Sequence, residues 1–183
     1  ELLENHKFEE IRTLFWRNSN LNFNNPNSLI KSLEEKPQVE WLRKIHECED
    51  EKALKFFLKD QRNLDVEFDK KTLMLLWECC QIPDFVKKTY GHHFEVVSKI
   101  FSFLTSRDEK VPNHYMKEQL SLLDKLDGNV DSLSNRIANV RTWAYVSNKS
   151  NWVENQDYWI ERTKNLEDKL SDRLHEELTK TFI

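Results

Sequence analysis

Glycine and proline are scarce in this chain, whose 183 residues include two glycines and four prolines. Since both residue types mark tight turns, their scarcity argues against an architecture of many short strands. The two glycines are too few for the loop GxGxxG and too far apart for GxxxxGK[ST], the loops that cradle nucleotide phosphates. We therefore expect a helical chain that itself holds neither ATP nor another cofactor.

Net positive charge and long apolar runs are also lacking. The formal net charge is -4 at pH 7, so any contact with RNA would need a local basic surface. No apolar run approaches the roughly 18 residues of a membrane span, and no signal peptide is visible, so we expect no membrane partner. The three cysteines, Cys48, Cys79 and Cys80, form no CxxC pair or disulfide framework, which is typical of a reducing compartment.

Apolar residues recur at helical spacing along most of the chain. This periodicity predicts an all-α fold, an irregular bundle of about eight helices with a long C-terminal helix. We expect one domain over 1–183, with a possible subdivision into 1–65 and 66–183. The predicted helical segments are 6–17, 26–36, a short amphipathic piece at 41–45, 50–59, 69–81, 91–105, 112–123, 130–148 and 156–182.

Three local signals refine this prediction. Asn25-Pro26 is a capping residue followed by a proline suited to the first helical position. The segment 69–81 is apolar nearly all round, so its helix should lie in the centre of a domain. The chain begins at Glu1 and ends on an apolar segment, 181–183, without a helix stop signal. We therefore expect it to be a fragment of a longer protein.

The last predicted helix carries a row of cations beside its buried face. At about 100° per residue, the basic row consists of Arg162, Lys169, Arg173 and Lys180. Such a row can neutralise successive phosphates of a nucleic-acid strand and release their counterions. Charge rows beside a buried face are more often ordinary flanks that pair with nearby acids, such as Glu176. The row is thus a candidate RNA contact, with internal ion pairing as the alternative.

Aromatic and basic residues surround the loop 147–155, between the last two predicted helices. Exposed rings there could stack on unpaired bases, with Lys149 holding a phosphate. Trp152 lies outside the apolar stripes of both helices, so we predict that it is partly exposed. The alternative is a hydrophobic hinge between two packed helices. The other aromatic residues around this loop are Trp143, Tyr145, Tyr158 and Trp159.

Metal binding and catalysis have little support in the sequence. His92 and His93 are adjacent, as are Cys79 and Cys80, so on a helix each pair diverges by about 100° and cannot readily share an ion. Cys80 falls near the apolar face of its helix, which is typical of a small core residue. A self-contained enzyme using Cys79, Cys80 or His92 would need a concave polar pocket around that residue. We predict no catalytic residue and no metal site.

Four segments together resemble a known family. They are 6–18, 75–85 (LLWECCQIPDF), 123–148 and 159–182. In order and spacing they resemble the region after the motor of bacterial DExH-box RNA helicases. These are alphaproteobacterial, Suv-three-like relatives of the mitochondrial RNA degradosome helicase. The resemblance spans almost the full chain, but 36–72 match poorly, and Val86 stands where the relatives tend to have arginine.

The resemblance implies an accessory helical region that packs on two RecA-like lobes and helps to enclose single-stranded RNA. In such helicases the lobes bind ATP and magnesium, and the enzyme unwinds RNA for a partner exoribonuclease. None of the motor motifs lies in this chain, so the resemblance implies a non-catalytic fragment, in the bacterial cytoplasm. It supplies no binding residues, and the candidate RNA contacts rest on side-chain pattern alone: Arg162, Lys169, Arg173, Lys180, Lys149 and Trp152.

Two functions of different classes follow from these observations. An accessory domain that holds RNA predicts salt-sensitive RNA binding and an exposed apolar patch where the RecA-like lobes pack. A protein-interaction scaffold would instead dock a partner, such as an exoribonuclease, without contacting RNA. An exposed apolar groove, together with a basic row neutralised by internal acids, would favour the scaffold.

Overall fold

The computed structural model describes residues 14–60 and 67–182. These residues are mostly helical, which confirms the all-α prediction, and α7 is the long C-terminal helix that the periodicity predicts. In chain order the elements are β1 (Leu14–Trp16), α1 (Pro26–Glu34), β2 (Leu42–Lys44), α2 (Glu49–Lys59), α3 (Lys70–Cys80), α4 (Tyr90–Leu104), α5 (Asn113–Leu123), α6 (Val130–Asn148) and α7 (Gln156–Thr181).

The two short strands correct the predictions for two segments. β1 falls in the predicted helix 6–17, whose first part, 6–13, lies outside the described residues, and β2 falls in the predicted amphipathic piece 41–45. The strands pair in parallel, and the amide of Ile45 donates to the carbonyl of Trp16 at 2.9 Å. Periodicity cannot separate a strand from a helix over such short apolar runs, because the partner strand is distant in sequence.

Side-chain caps fix where several helices begin. The Oδ1 atom of Asn25 accepts from the amide of Ser28 at 2.8 Å, with Pro26 next to it, so the predicted start of α1 is confirmed. Thr89 caps α4 in the same way, and Asn129 caps α6. Before α6 the backbone turns at Gly128 with φ +112°, a conformation that other residues rarely adopt.

The backbone divides into two compact units, of which the first ends at Cys80 and the second begins at Gln81. In the first unit α3 packs against α2, and Leu54, Leu73 and Leu76 are fully buried. The apolar α3 is thus a core helix, as its composition predicts.

The second unit is built around the pairing of α6 with α7, and α5 also packs against α6. The buried residues of this pairing include Leu133 and Val140 of α6, and Leu166 and Leu170 of α7. Within the described part of the chain, no helix has the length and apolar character to cross a membrane.

Candidate functional site

The first half of the basic row is paired with one carboxylate. Asp124 follows the C-terminal end of α5, and its two oxygens face α7. Arg162 Nη2 donates to Asp124 Oδ2 at 2.9 Å, and Lys169 Nζ donates to Oδ1 at 2.5 Å. One carboxylate therefore holds two of the four cations that the spacing places in the row.

The second half of the row is paired within α7 itself. Arg173 Nη2 lies 2.5 Å from Glu177 Oε1, and Arg173 Nη1 lies 3.8 Å from Glu176 Oε2. Lys180 Nζ lies 3.4 Å from the same Glu177 oxygen. These pairs are three or four residues apart, the separations at which side chains on one helix meet.

The acids opposite the row are held in their charged form. The hydrogen bond from Lys169 lowers the pKa of Asp124, and the hydrogen bond from Arg173 lowers the pKa of Glu177. Both carboxylates are therefore ionised at neutral pH, and their negative charges offset the positive charges of the basic row. The whole of α7 has seven carboxylates and five lysines or arginines, so it presents no net positive charge to a phosphate backbone.

Trp152 corrects the prediction of an exposed stacking residue, since only 4% of it is accessible. Its carbonyl accepts from the amide of Val111 at 2.8 Å, and Val111 forms a parallel bridge with Val153. This contact folds the loop after α6 against the segment before α5. It joins residues far apart in sequence, so spacing along either helix cannot reveal it.

The other two tryptophans around this loop, Trp143 and Trp159, are buried, as the alternative of a hydrophobic hinge predicts. Trp159 Nε1 donates to Asn113 Oδ1 at 2.8 Å. Lys149 Nζ lies 5.6 Å from the ring centroids of Tyr145 and of Trp152. The ammonium group of Lys149 thus makes cation–π contacts with both rings. Of the rings that the sequence offers to RNA bases, the three tryptophans are buried, whereas Tyr158 is 57% exposed.

Cysteine and histidine do not form a catalytic arrangement in the described residues. Cys79 and Cys80 are buried, and burial strongly raises the pKa of the Cys80 thiol, which disfavours a nucleophilic thiolate. His92 and His93 line a cavity of about 70 Å³, where His93 Nδ1 lies 3.9 Å from Asp84 Oδ1, longer than a hydrogen bond. The cavity has room for a few water molecules. Among the described residues, no cluster of three His, Cys, Asp or Glu suits a metal ion.

The first unit has an exposed apolar surface that the sequence pattern does not predict. We define the aromatic patch as Leu14, Phe15, Val39 and Trp41, in which Phe15 is 64% exposed and Trp41 61%. The backbone brings these residues near one another, because Leu14 pairs with Leu42, which follows Trp41, and the amide of Leu42 donates to the carbonyl of Val39. Phe15 pairs with Arg43, which is also exposed. Helical periodicity placed Phe15 in the predicted helix 6–17, so the patch became visible only once β1 and β2 were paired.

No family model, curated protein or solved structure matches this chain. The resemblance to helicases therefore stays a prediction. The geometry of the basic row and of the aromatic patch is the basis for a functional inference.

Proposed function

We propose that the chain is a non-catalytic helical accessory module that docks a protein partner through the aromatic patch. The observation that carries this proposal is the exposure of two large aromatic side chains, Phe15 on β1 and Trp41 immediately before β2. Large exposed apolar surfaces on folded proteins commonly mark sites of interaction with other proteins. Tryptophan and arginine, here Trp41 and, two residues further along, Arg43, are enriched among the residues that dominate the energy of protein interfaces.

The state of the basic row favours a scaffold over an RNA clamp. A clamp needs cations that exchange mobile counterions for phosphates. Here Asp124 and Glu177 already form ion pairs with these cations. A phosphate would have to displace both carboxylates. The displaced carboxylates would remain nearby and repel the phosphate.

The resemblance to DExH-box RNA helicases supports particular partners. In that family the corresponding region packs on RecA-like motor domains, and the enzyme works with an exoribonuclease. We propose that the aromatic patch contacts either the RecA-like motor domains or the exoribonuclease. ATP binding and RNA unwinding would then belong to the motor domains and not to this chain.

Photo-crosslinking in the cells that express the protein tests this docking. A benzophenone amino acid replaces Trp41 in one variant, and replaces Tyr158 in a matched control. Tyr158 is an aromatic residue of the second unit with 57% exposure. We expect the probe at Trp41 to give one predominant protein adduct that disappears when Phe15→Ser is added. Equal labelling from both positions, or an RNA adduct at Trp41, would contradict the proposal.

Fluorescence anisotropy with labelled single-stranded RNA tests the neutralised row. We expect no binding that depends on the row, so reversing the charge of Arg162, Lys169, Arg173 and Lys180 changes nothing. Removing the opposing charges with Asp124→Asn and Glu177→Gln should uncover weak binding that salt abolishes. Asp172→Asn, which removes an exposed charge on the same helix, is the matched control. Tight binding by the unmodified chain that the charge reversal abolishes would restore the RNA clamp.

A further inference from the structure

We propose that the partner docks as an additional strand on the edge of β1 that faces away from β2. This inference rests on the proposed docking function and specifies how the aromatic patch is used. It identifies the occupant as an extended peptide segment with apolar side chains and at least one carboxylate.

The first step is the open edge of β1. In the described residues the sheet has two strands, and each has one neighbour. The carbonyl of Trp16 faces β2, where it accepts from the amide of Ile45. Because backbone groups alternate in direction along a strand, the amide and carbonyl of Phe15 face away from β2. Unpaired backbone groups of this kind are a template for another strand.

The second step is the difference between the two edges. β2 is Leu42-Arg43-Lys44, and charged residues are a common device by which proteins keep an edge from pairing. β1 is Leu14-Phe15-Trp16 and carries no charge. A two-stranded sheet is also only marginally stable alone, so a third strand would strengthen the element. The unprotected edge is therefore that of β1.

The third step is the chemistry of the occupant. A strand added beside Phe15 brings its own side chains onto the face that carries Phe15 and Arg43. Arg43 is exposed, and none of the carboxylates in 14–60 or 67–182 forms an ion pair with it. A carboxylate on the incoming strand would supply the missing partner, and apolar side chains would cover the ring of Phe15. Side chains two residues apart on a strand share a face, so an extended segment with both apolar and acidic residues among the positions of that one face meets both requirements.

The test uses the 183-residue chain and a fluorescein-labelled peptide, Val-Thr-Asp-Thr-Val-Thr-Asp, whose valines and aspartates share one face of an extended strand. A peptide with lysine in place of aspartate is the control for charge. Two variants separate the ring from the backbone. Phe15→Ala removes the ring and keeps the amide, whereas Phe15→Pro removes both, and proline is tolerated where an edge amide faces outward. Amide exchange of Phe15, followed by nuclear magnetic resonance, reports pairing directly.

We expect the acidic peptide to bind, the lysine peptide to bind more weakly, and the amide of Phe15 to become protected from exchange. Phe15→Pro should weaken binding about tenfold more than Phe15→Ala, as the loss of one backbone hydrogen bond predicts. Absence of binding at millimolar peptide, or equal affinities of the two variants with an unprotected Phe15 amide, would overturn the added strand. In either case a Trp41 crosslink that depends on Phe15 would still support docking by side chains, so the two proposals fail separately.

Discussion

At the scale of single residues, Glu51 is the most unusual group in the first unit. Its side chain is only 1% exposed, and neither carboxylate oxygen has a hydrogen-bond partner. Arg17 Nε lies 3.9 Å from Oε1, too far for a hydrogen bond, and Arg17 already pairs with Asp50 at 2.9 Å. Burial raises the pKa of Glu51, and the attraction of Lys44 and Arg17 only partly offsets it. Glu51 thus carries a charge that the fold accommodates poorly.

This arrangement predicts that Glu51 makes the protein less stable as pH rises. Because the pKa is higher in the folded than in the unfolded state, the folded protein binds the proton more tightly. The free energy of unfolding should therefore fall as pH rises from the unfolded value, about 4.5, through the higher folded value. In Glu51→Gln this contribution disappears, so the variant should gain stability relative to the wild type over that window. Urea unfolding at pH 4 to 8 measures the difference.

Glu49→Gln is the matched control for this prediction. Glu49 lies in the same first turn of α2, but its side chain is 74% exposed. Its substitution should change stability by less than about 0.5 kcal/mol, as is usual for exposed positions. A difference between wild type and Glu51→Gln that does not change with pH would contradict the prediction.

At the scale of secondary-structure elements, Asp124 connects the end of α5 to α7 through Arg162 and Lys169. Asp124→Asn should lower the free energy of unfolding by about 1 kcal/mol at neutral pH and low salt, since the ion pairs are partly exposed. The pKa of Asp124 is lowered in the folded state, so its contribution is present above the unfolded pKa and is lost as pH falls through the folded value. Denaturant titrations at two salt concentrations and at acid pH check this expectation.

Asp172→Asn serves as the control here too, because Asp172 is an exposed acid on α7. Its substitution should change stability by less than about 0.5 kcal/mol, as is usual for surface positions. If the two variants lost the same stability, or if high salt left the loss in Asp124→Asn unchanged, the ion pairs would not be what connects α5 with α7.

The elements also show what sequence patterns can predict in this protein. Long periodic segments, such as α6 and α7, and capped starts, such as Asn25-Pro26, were predicted well because the signal is local. β1 and β2 were not, because a three-residue strand exists only through its partner across the fold. The aromatic patch depends on the same strand pairing, so the sequence pattern did not predict it either.

The same contrast between local signals and tertiary contacts applies to the candidate site. The cations of the basic row lie along α7 as spacing predicts, and the pairing of Arg173 with Glu177 is also local. Asp124 comes from another element, so the neutralisation of Arg162 and Lys169 depends on how the chain folds. Trp152 was assigned wrongly because its cover includes Val111, a residue from a distant segment. Local patterns thus predicted where the charges lie along α7, whereas tertiary contacts determine which acids pair with them.

At the scale of the whole molecule, the two compact units allow a test of where function is located. The second unit has a core of its own between α6 and α7, and α5 packs against α6. A fragment of residues 81–183 should therefore fold by itself, with a helical circular dichroism spectrum and one cooperative thermal transition. A shorter fragment, 130–182, contains only α6 and α7 and is the matched control. Without α5 it should melt at lower temperature and less cooperatively.

The same fragment separates the two candidate functions. The aromatic patch lies in the first unit, whereas the basic row lies in α7 of the second. A folded 81–183 fragment should therefore bind neither the acidic peptide nor single-stranded RNA, because it lacks the patch and its row is neutralised. Salt-sensitive RNA binding by this fragment would show that α7 is a nucleic-acid surface despite Asp124 and Glu177. Peptide binding by the fragment would place the docking surface outside β1 and β2.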